Sequence, residues 1–136
     1  MQDGSGSPKY TINKLLRGVD FDAAVTKTRE ALSAKGFGIL TEIDVKATLK
    51  KKLDVKVDDY LILGACNPTM AHEALKLEPR VGAMLPCNVI LRKVGEHEIE
   101  VSAIDPVASM TAIDNSELKS VAVRVRELLR SVVEEI

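Results

Sequence analysis

Apolar and polar positions alternate in short runs along this chain, and the period of each run predicts an element. Lys9 to Arg17 alternates weakly, with Tyr10, Ile12, Leu15 and Leu16 as its apolar members, and reads as a first strand. Gly18-Val19-Asp20 stops it, and Asp20 is suited to cap a helix. In that helix Phe21, Val25, Thr28 and Leu32 recur at steps of four, three and four, so they share one face. Gly36 ends it, with Phe37 placed for the hydrophobic contact of a Schellman motif. Gly38 to Val45 alternates again: Ile39, Thr41, Ile43 and Val45 point one way, and Leu40, Glu42 and Asp44 the other. Val45, Leu49 and Leu53 then predict a short amphipathic helix whose polar face is Lys46, Lys50, Lys51, Lys52 and Lys56.

Tyr60 to Cys66 is a continuous apolar run, the mark of a strand buried on both faces, and is expected to be central in the sheet. Asn67-Pro68 is a helix start, with asparagine at the cap and proline in the first turn. Met70, Ala71, Ala74, Leu75 and Leu77 supply its buried face, and Pro79 ends it. Arg80 to Pro86 reads as a loop. Val89-Ile90-Leu91 and Ile99-Glu100-Val101 are strands around a hairpin turn at Gly95-Glu96-His97, and Asp105-Pro106 closes the second. Asp114 with Glu117 reads as a capping box before a long helix striped by Leu118, Val121, Ala122, Val125, Leu128, Leu129, Val132 and Val133. The order predicts an α+β fold: a mostly antiparallel sheet with two long helices packed on one face.

Composition narrows the function classes. The 136 residues suit one α+β domain over 9–136, preceded by a polar leader at 1–8 expected to be disordered. Nineteen basic and twenty acidic residues give a net charge of −1, without the basic excess of a nucleic-acid module. The aromatics are only Phe21, Phe37, Tyr10 and Tyr60, too few for a base-stacking platform. The start lacks the cationic and apolar regions of a signal peptide, and no run is long enough to span a membrane. A cytoplasmic location with reduced thiols is the expectation. Glycine-rich nucleotide loops and the Gly-x-Ser-x-Gly elbow are absent, and no cofactor is assigned.

Four segments in order carry a resemblance: Gly38-Ile39-Leu40-Thr41-Glu42-Ile43-Asp44, Gly64-Ala65-Cys66-Asn67-Pro68, Leu85-Pro86-Cys87-Asn88-Val89 and Ile104-Asp105-Pro106. Together with the order of elements they resemble the bacterial and archaeal domain of unknown function 302, over nearly the whole chain past the leader. The resemblance implies a β-α-β-β-β-β-α fold related to the sheet-and-helix unit of the TATA-binding protein. It also implies that homodimers are common among members. It supplies no activity.

The residues themselves point to one candidate site. The only two cysteines, Cys66 and Cys87, are each followed by an asparagine and each stand at a junction between elements. A thiol before a helix N-terminus feels the positive end of the dipole, and the same N-terminus can attract an anion. A small, buried, inert cysteine is the bland alternative, and Asn67 is accounted for by capping. Asn88 has no local explanation. A disulfide between the two cysteines is geometrically conceivable, but a reducing compartment disfavours it. Metal ligation would recruit His72, Glu42 or Asp44, but no ligand pair has the spacing of a zinc motif, and no metal is assigned. Glu42 and Asp44 form a same-face carboxylate pair, with a solvated face or an Asp44 helix cap as the plainer readings.

The reading is a binding module for a small ligand or anion, with a polar, thiol-bearing pocket formed by Cys66, Asn67, Cys87, Asn88 and Asp105. The alternatives are a thiol-dependent redox or nucleophilic enzyme and a structural or partner-binding homodimer. The expected partners are a second copy of the chain and the small ligand, with neither nucleic acid nor membrane.

Overall fold

Each strand forms where the apolar pattern predicts one, and hydrogen-bond register then decides which side chains meet the helices. The computed structural model describes residues 9–136, so the leader expected at 1–8 lies outside the described residues. The elements are β1 (Thr11–Arg17), α1 (Phe21–Ala34), β2 (Gly38–Asp44), α2 (Val45–Leu53), β3 (Tyr60–Cys66) and α3 (Pro68–Leu77). A 3-10 turn at Pro79–Met84 leads to β4 (Cys87–Gly95), β5 (Glu98–Ile104), the one-turn α4 (Pro106–Ser109) and α5 (Ser116–Glu135). The five strands form one antiparallel sheet in the order β1-β5-β4-β3-β2. The fold is α+β, with the β-α-β-β-β-β-α frame carried by β1, α1, β2 to β5 and α5.

Four expectations shift in the structure. The apolar run of β3 is interior, but the middle strand is β4, because β5 turns back to pair with both β4 and β1. In β2 a bulge between Ile39 and Thr41 breaks the alternation. Ile39 pairs with Ala65 and packs on the core, whereas Thr41 pairs with Gly64 and Ile43 with Ile62, on the opposite face. The segment expected as a loop from Arg80 winds into a 3-10 turn that buries Val81 completely. Leu75 is 41% exposed rather than part of the buried face of α3, and it leans on that turn beside Gly82.

The helix layer covers one face of the sheet. Leu61, Leu63, Leu91, Val89, Val101 and Ala103 are buried there and packed with Leu32 of α1 and Leu129, Val132 and Val133 of α5. Cys87 and Ala65 close this core at one end of β3 and β4. Helix α1 ends as its residues predict. Gly36 adopts φ +83°, and the amides of Gly36 and Phe37 donate to the carbonyls of Ser33 and Leu32 at 3.1 and 3.0 Å. Phe37 is buried behind it.

A second, smaller core lies beyond that end of the sheet. It joins Ala74 of α3, Val81 of the 3-10 turn and Met110 to Leu118, Val121 and Ala122 of α5. The N-cap of α5 is Asn115, one residue after the expected Asp114. Its extended backbone turns its Oδ1 onto the Leu118 amide at 2.9 Å, while Asp114 is exposed. The same side chain donates from Nδ2 to the Leu77 carbonyl at 3.1 Å, the last residue of α3. One asparagine thus starts α5 and ties it to the end of α3. Asn115→Ala should lower stability by about 1–2 kcal/mol in urea denaturation. Asn115→Asp keeps the cap but not the donor, and should fall between the two. Equal losses for both variants would contradict the double role.

Candidate functional site

The antiparallel register sets Ala65 opposite Cys87, and Cys66 is the next residue of β3 past that pair. Cys87 opens β4 and is 7% exposed, and Cys66 closes β3 and is half-buried. Both are unbridged thiols. Burial, with a smaller contribution from the nearby Cys66, pushes the Cys87 thiol from an ordinary 9.0 up to about 11. The glycine of the Gly64-Ala65-Cys66 segment is required by packing: a Cβ there would run into the Thr41 hydroxyl and the Pro86 ring.

Both cysteines border one cavity of about 30 Å³, between the ends of β3 and β4, the first turns of α3 and the first half of α5. That is room for a water-sized occupant and little more. Asn67 and Met70 border it from α3, Leu85 and Pro106 from the flanking turns, and Met110 from the segment before α5. Small side chains on the helices, Ala71, Ala74 and Ala122, leave the space open. No charged residue is in its lining. Among the described residues, every buried side-chain nitrogen and oxygen already has a hydrogen-bond partner.

The five residues expected to form a pocket divide. Cys66, Asn67 and Cys87 come together at this cavity. Asn67 serves as the cap of α3, its Oδ1 accepting the Met70 amide at 3.2 Å. Asp105 is one residue outside the lining and caps the one-turn α4, accepting from the amides of Val107 and Ala108 at 2.9 and 3.4 Å. Asn88 is exposed and pairs in register with Gly64, away from the lining. Met110 and Leu85 gave no sequence signal, because both stand in irregular segments without a period.

The other candidates have structural employment. Glu42 forms an ion pair with Arg29 at 2.7 Å, and Asp44 caps α2 through the Ala47 amide at 2.9 Å. The lysine-rich α2 buries no residue, and Lys46 and Lys50 pair with Asp59 and Asp54. His72 is exposed on α3. Among the described residues, no three histidine, cysteine or acidic side chains gather as a metal site would require.

With this geometry in place, similarity to known proteins can be weighed. The sequence matches the family described as Domain of unknown function DUF302 over residues 12–136. The chain belongs to that family. A crystal structure of an uncharacterized conserved protein DUF302 from Bacillus stearothermophilus has the same fold. It superposes with a TM-score of 0.86 at 20% identity, over 94% of this chain and 98% of the other. No curated protein matches. Among the described residues of this DUF302 chain, no helix is long and apolar enough to cross a membrane.

The raised Cys87 thiol makes two measurable statements. At neutral pH iodoacetamide should alkylate Cys66 well before Cys87, because the thiolate is the reacting form. Stability should also depend on Cys87 in alkali. Below pH 9.0 the thiol is protonated in both folded and unfolded chains, and its contribution is complete. As pH rises towards about 11 the unfolded chain loses the proton first, so stability falls through that window. The shift is worth about 2–3 kcal/mol. Urea denaturation of wild type and Cys87→Ala between those pH values should show the wild type losing that much more. Parallel pH profiles would contradict the assignment.

Proposed function

We propose that this DUF302 domain is a small binding module whose site is the cavity bordered by Cys66 and Cys87. One observation carries the reading: the only two cysteines, from the ends of different strands, meet at a single cavity that also borders the start of α3. The size and lining narrow the ligand. The space suits an occupant of one or a few atoms, and the wall is apolar apart from sulfur and the engaged Asn67. An anion finds no cationic partner there. A nucleophilic or redox enzyme is less well supported, since Cys87 holds its proton at neutral pH.

Xenon, an apolar single-atom probe, tests whether the cavity admits an occupant. In methyl NMR spectra under xenon pressure, shifts should concentrate at Ala71, Ala74, Leu85 and Ala122. Ala122→Leu, which fills the space, should abolish them at a cost of about 1–3 kcal/mol. Ala71→Val is the milder filler should that variant fail to fold. An absence of shifts at these methyls would remove the reading.

A specific observation also favours self-association. Leu40 of β2 and Leu53 of α2 are each 65% exposed, and Ile43, Val55 and Val57 near them in sequence are exposed too. Among the described residues, β2 is the last strand on this side of the sheet, and its outer backbone edge has no partner strand. Light scattering should give the mass of a dimer, and Leu40→Glu with Leu53→Glu should return a monomer. A wild-type monomer would exclude this reading.

A further inference from the structure

The cavity has an unusual chemical bias. The chain has only six sulfur-containing residues, and four of them, Cys66, Met70, Cys87 and Met110, border this one space. They come from four different segments: the end of β3, the first turn of α3, the start of β4 and the turn before α5. Cysteine and methionine are common core fillers because they adapt to irregular gaps. Here they surround a gap instead of filling it. The lining offers no carboxylate, imidazole or charged group. Oxygen-seeking ions find only the Asn67 amide, already engaged as a helix cap, and zinc lacks the third and fourth ligand it needs. Thiolate and thioether sulfur without nitrogen or oxygen is the ligand set that selects monovalent copper.

We propose that the cavity is a binding site for Cu(I), with the Cys66 thiolate as principal ligand and the neutral sulfurs of Cys87, Met70 and Met110 completing the set. This assignment rests on the cavity being the binding site, and names the class of its ligand. The metal enters as Cu(I) and stays Cu(I). The Cys66 thiol exchanges its S–H proton for an S–Cu bond, and the proton leaves to solvent, while Cys87 keeps its proton and offers a neutral sulfur. One thiolate neutralises the charge of one Cu(I), so a neutral unit is placed in an apolar wall. Cys66, half-buried beside the buried Cys87, supplies the way in.

The test is competition for Cu(I) against bathocuproine disulfonate, under ascorbate and without oxygen, on the intact folded chain. Wild type should remove one Cu(I) per chain from the chelator, develop a near-ultraviolet sulfur-to-copper absorption and rise in melting temperature. The rise matters because an ion held equally well by the unfolded chain would give none. Cys66→Ala should lose the ion. Met70→Leu and Met110→Leu conserve volume, so folding is kept. Loss of even an outer partner of a metal costs roughly 10–100-fold in affinity, and each variant should weaken Cu(I) by at least about tenfold. Met84→Leu, at an exposed methionine outside the lining, should change nothing. Failure of folded wild type to take Cu(I), or undiminished affinity in both thioether variants, overturns the proposal. Xenon shifts without Cu(I) uptake would discard the metal and keep the binding site, whereas loss of both would discard the two together.

Discussion

The structure depends on α5 being long enough to serve two cores. Its stripe runs from Leu118, Val121 and Ala122 in the small core to Leu129, Val132 and Val133 in the large one. Val125, between them, packs against both. At 1.5 Å per residue the 20-residue helix spans about 30 Å, enough to cross the sheet and extend beyond its end. Shortened by two turns at its start, it would still cover β5 and β1 but would leave α3 and the 3-10 turn with nothing to bury against. Asn115 fixes where this helix begins, and its bond to the Leu77 carbonyl ties that start to the end of α3 within the second core. The exposed ion pair between Arg124 and Glu73, at 2.6 Å, joins the same two helices but lies in water and adds little.

The cavity follows from that arrangement. It lies at the seam, where the last residues of the large core, Ala65 and Cys87, meet the first residues of the small one. Two independently packed clusters that share one helix have no requirement to interdigitate at their boundary. Leucines in place of Ala71, Ala74 and Ala122 would have closed the gap at little cost in helix propensity. Alanine at all three keeps α3 and α5 close and still leaves the strand ends uncovered. The seam is thus a place where packing stops short, and the residues standing at it are soft.

Much of this fold can be read from residue order because local signals and tertiary packing agree. Asp20, Asp44 and Asn67 each precede an apolar period, and each caps the helix that follows. The Gly36-Phe37 pair ends α1 through backbone bonds that any observer of its left-handed glycine would expect. What is less legible depends on pairing. The bulge at Leu40 reverses the faces of β2, and nothing local marks it, since Leu40 would suit either face. Asp114 and Asn115 are both good caps, and the choice falls to Asn115 because only an amide has a donor for Leu77 as well. The candidate site was half legible for the same reason. Strand order brings the ends of β3 and β4 to one cavity that both cysteines border, whereas Asn88 pairs with Gly64 and stays exposed outside it. Met110 belongs to a turn with no period, and only packing places it beside Met70.

The same physics explains why sulfur rather than oxygen or nitrogen suits this position. A carboxylate or imidazole at the seam would need hydrogen-bond partners that the apolar walls do not have, and its burial would oppose folding. A protonated thiol makes a far smaller demand, and the high pKa of Cys87 records how strongly the site favours the neutral form. Thioethers demand still less. The seam can therefore hold four potential ligands without destabilising the empty protein. A divalent ion would leave net charge in that wall unless two thiolates formed side by side, while a monovalent ion leaves none with a single thiolate. Selection for a soft, singly charged occupant thus comes from the apolar surroundings as much as from the sulfur atoms themselves.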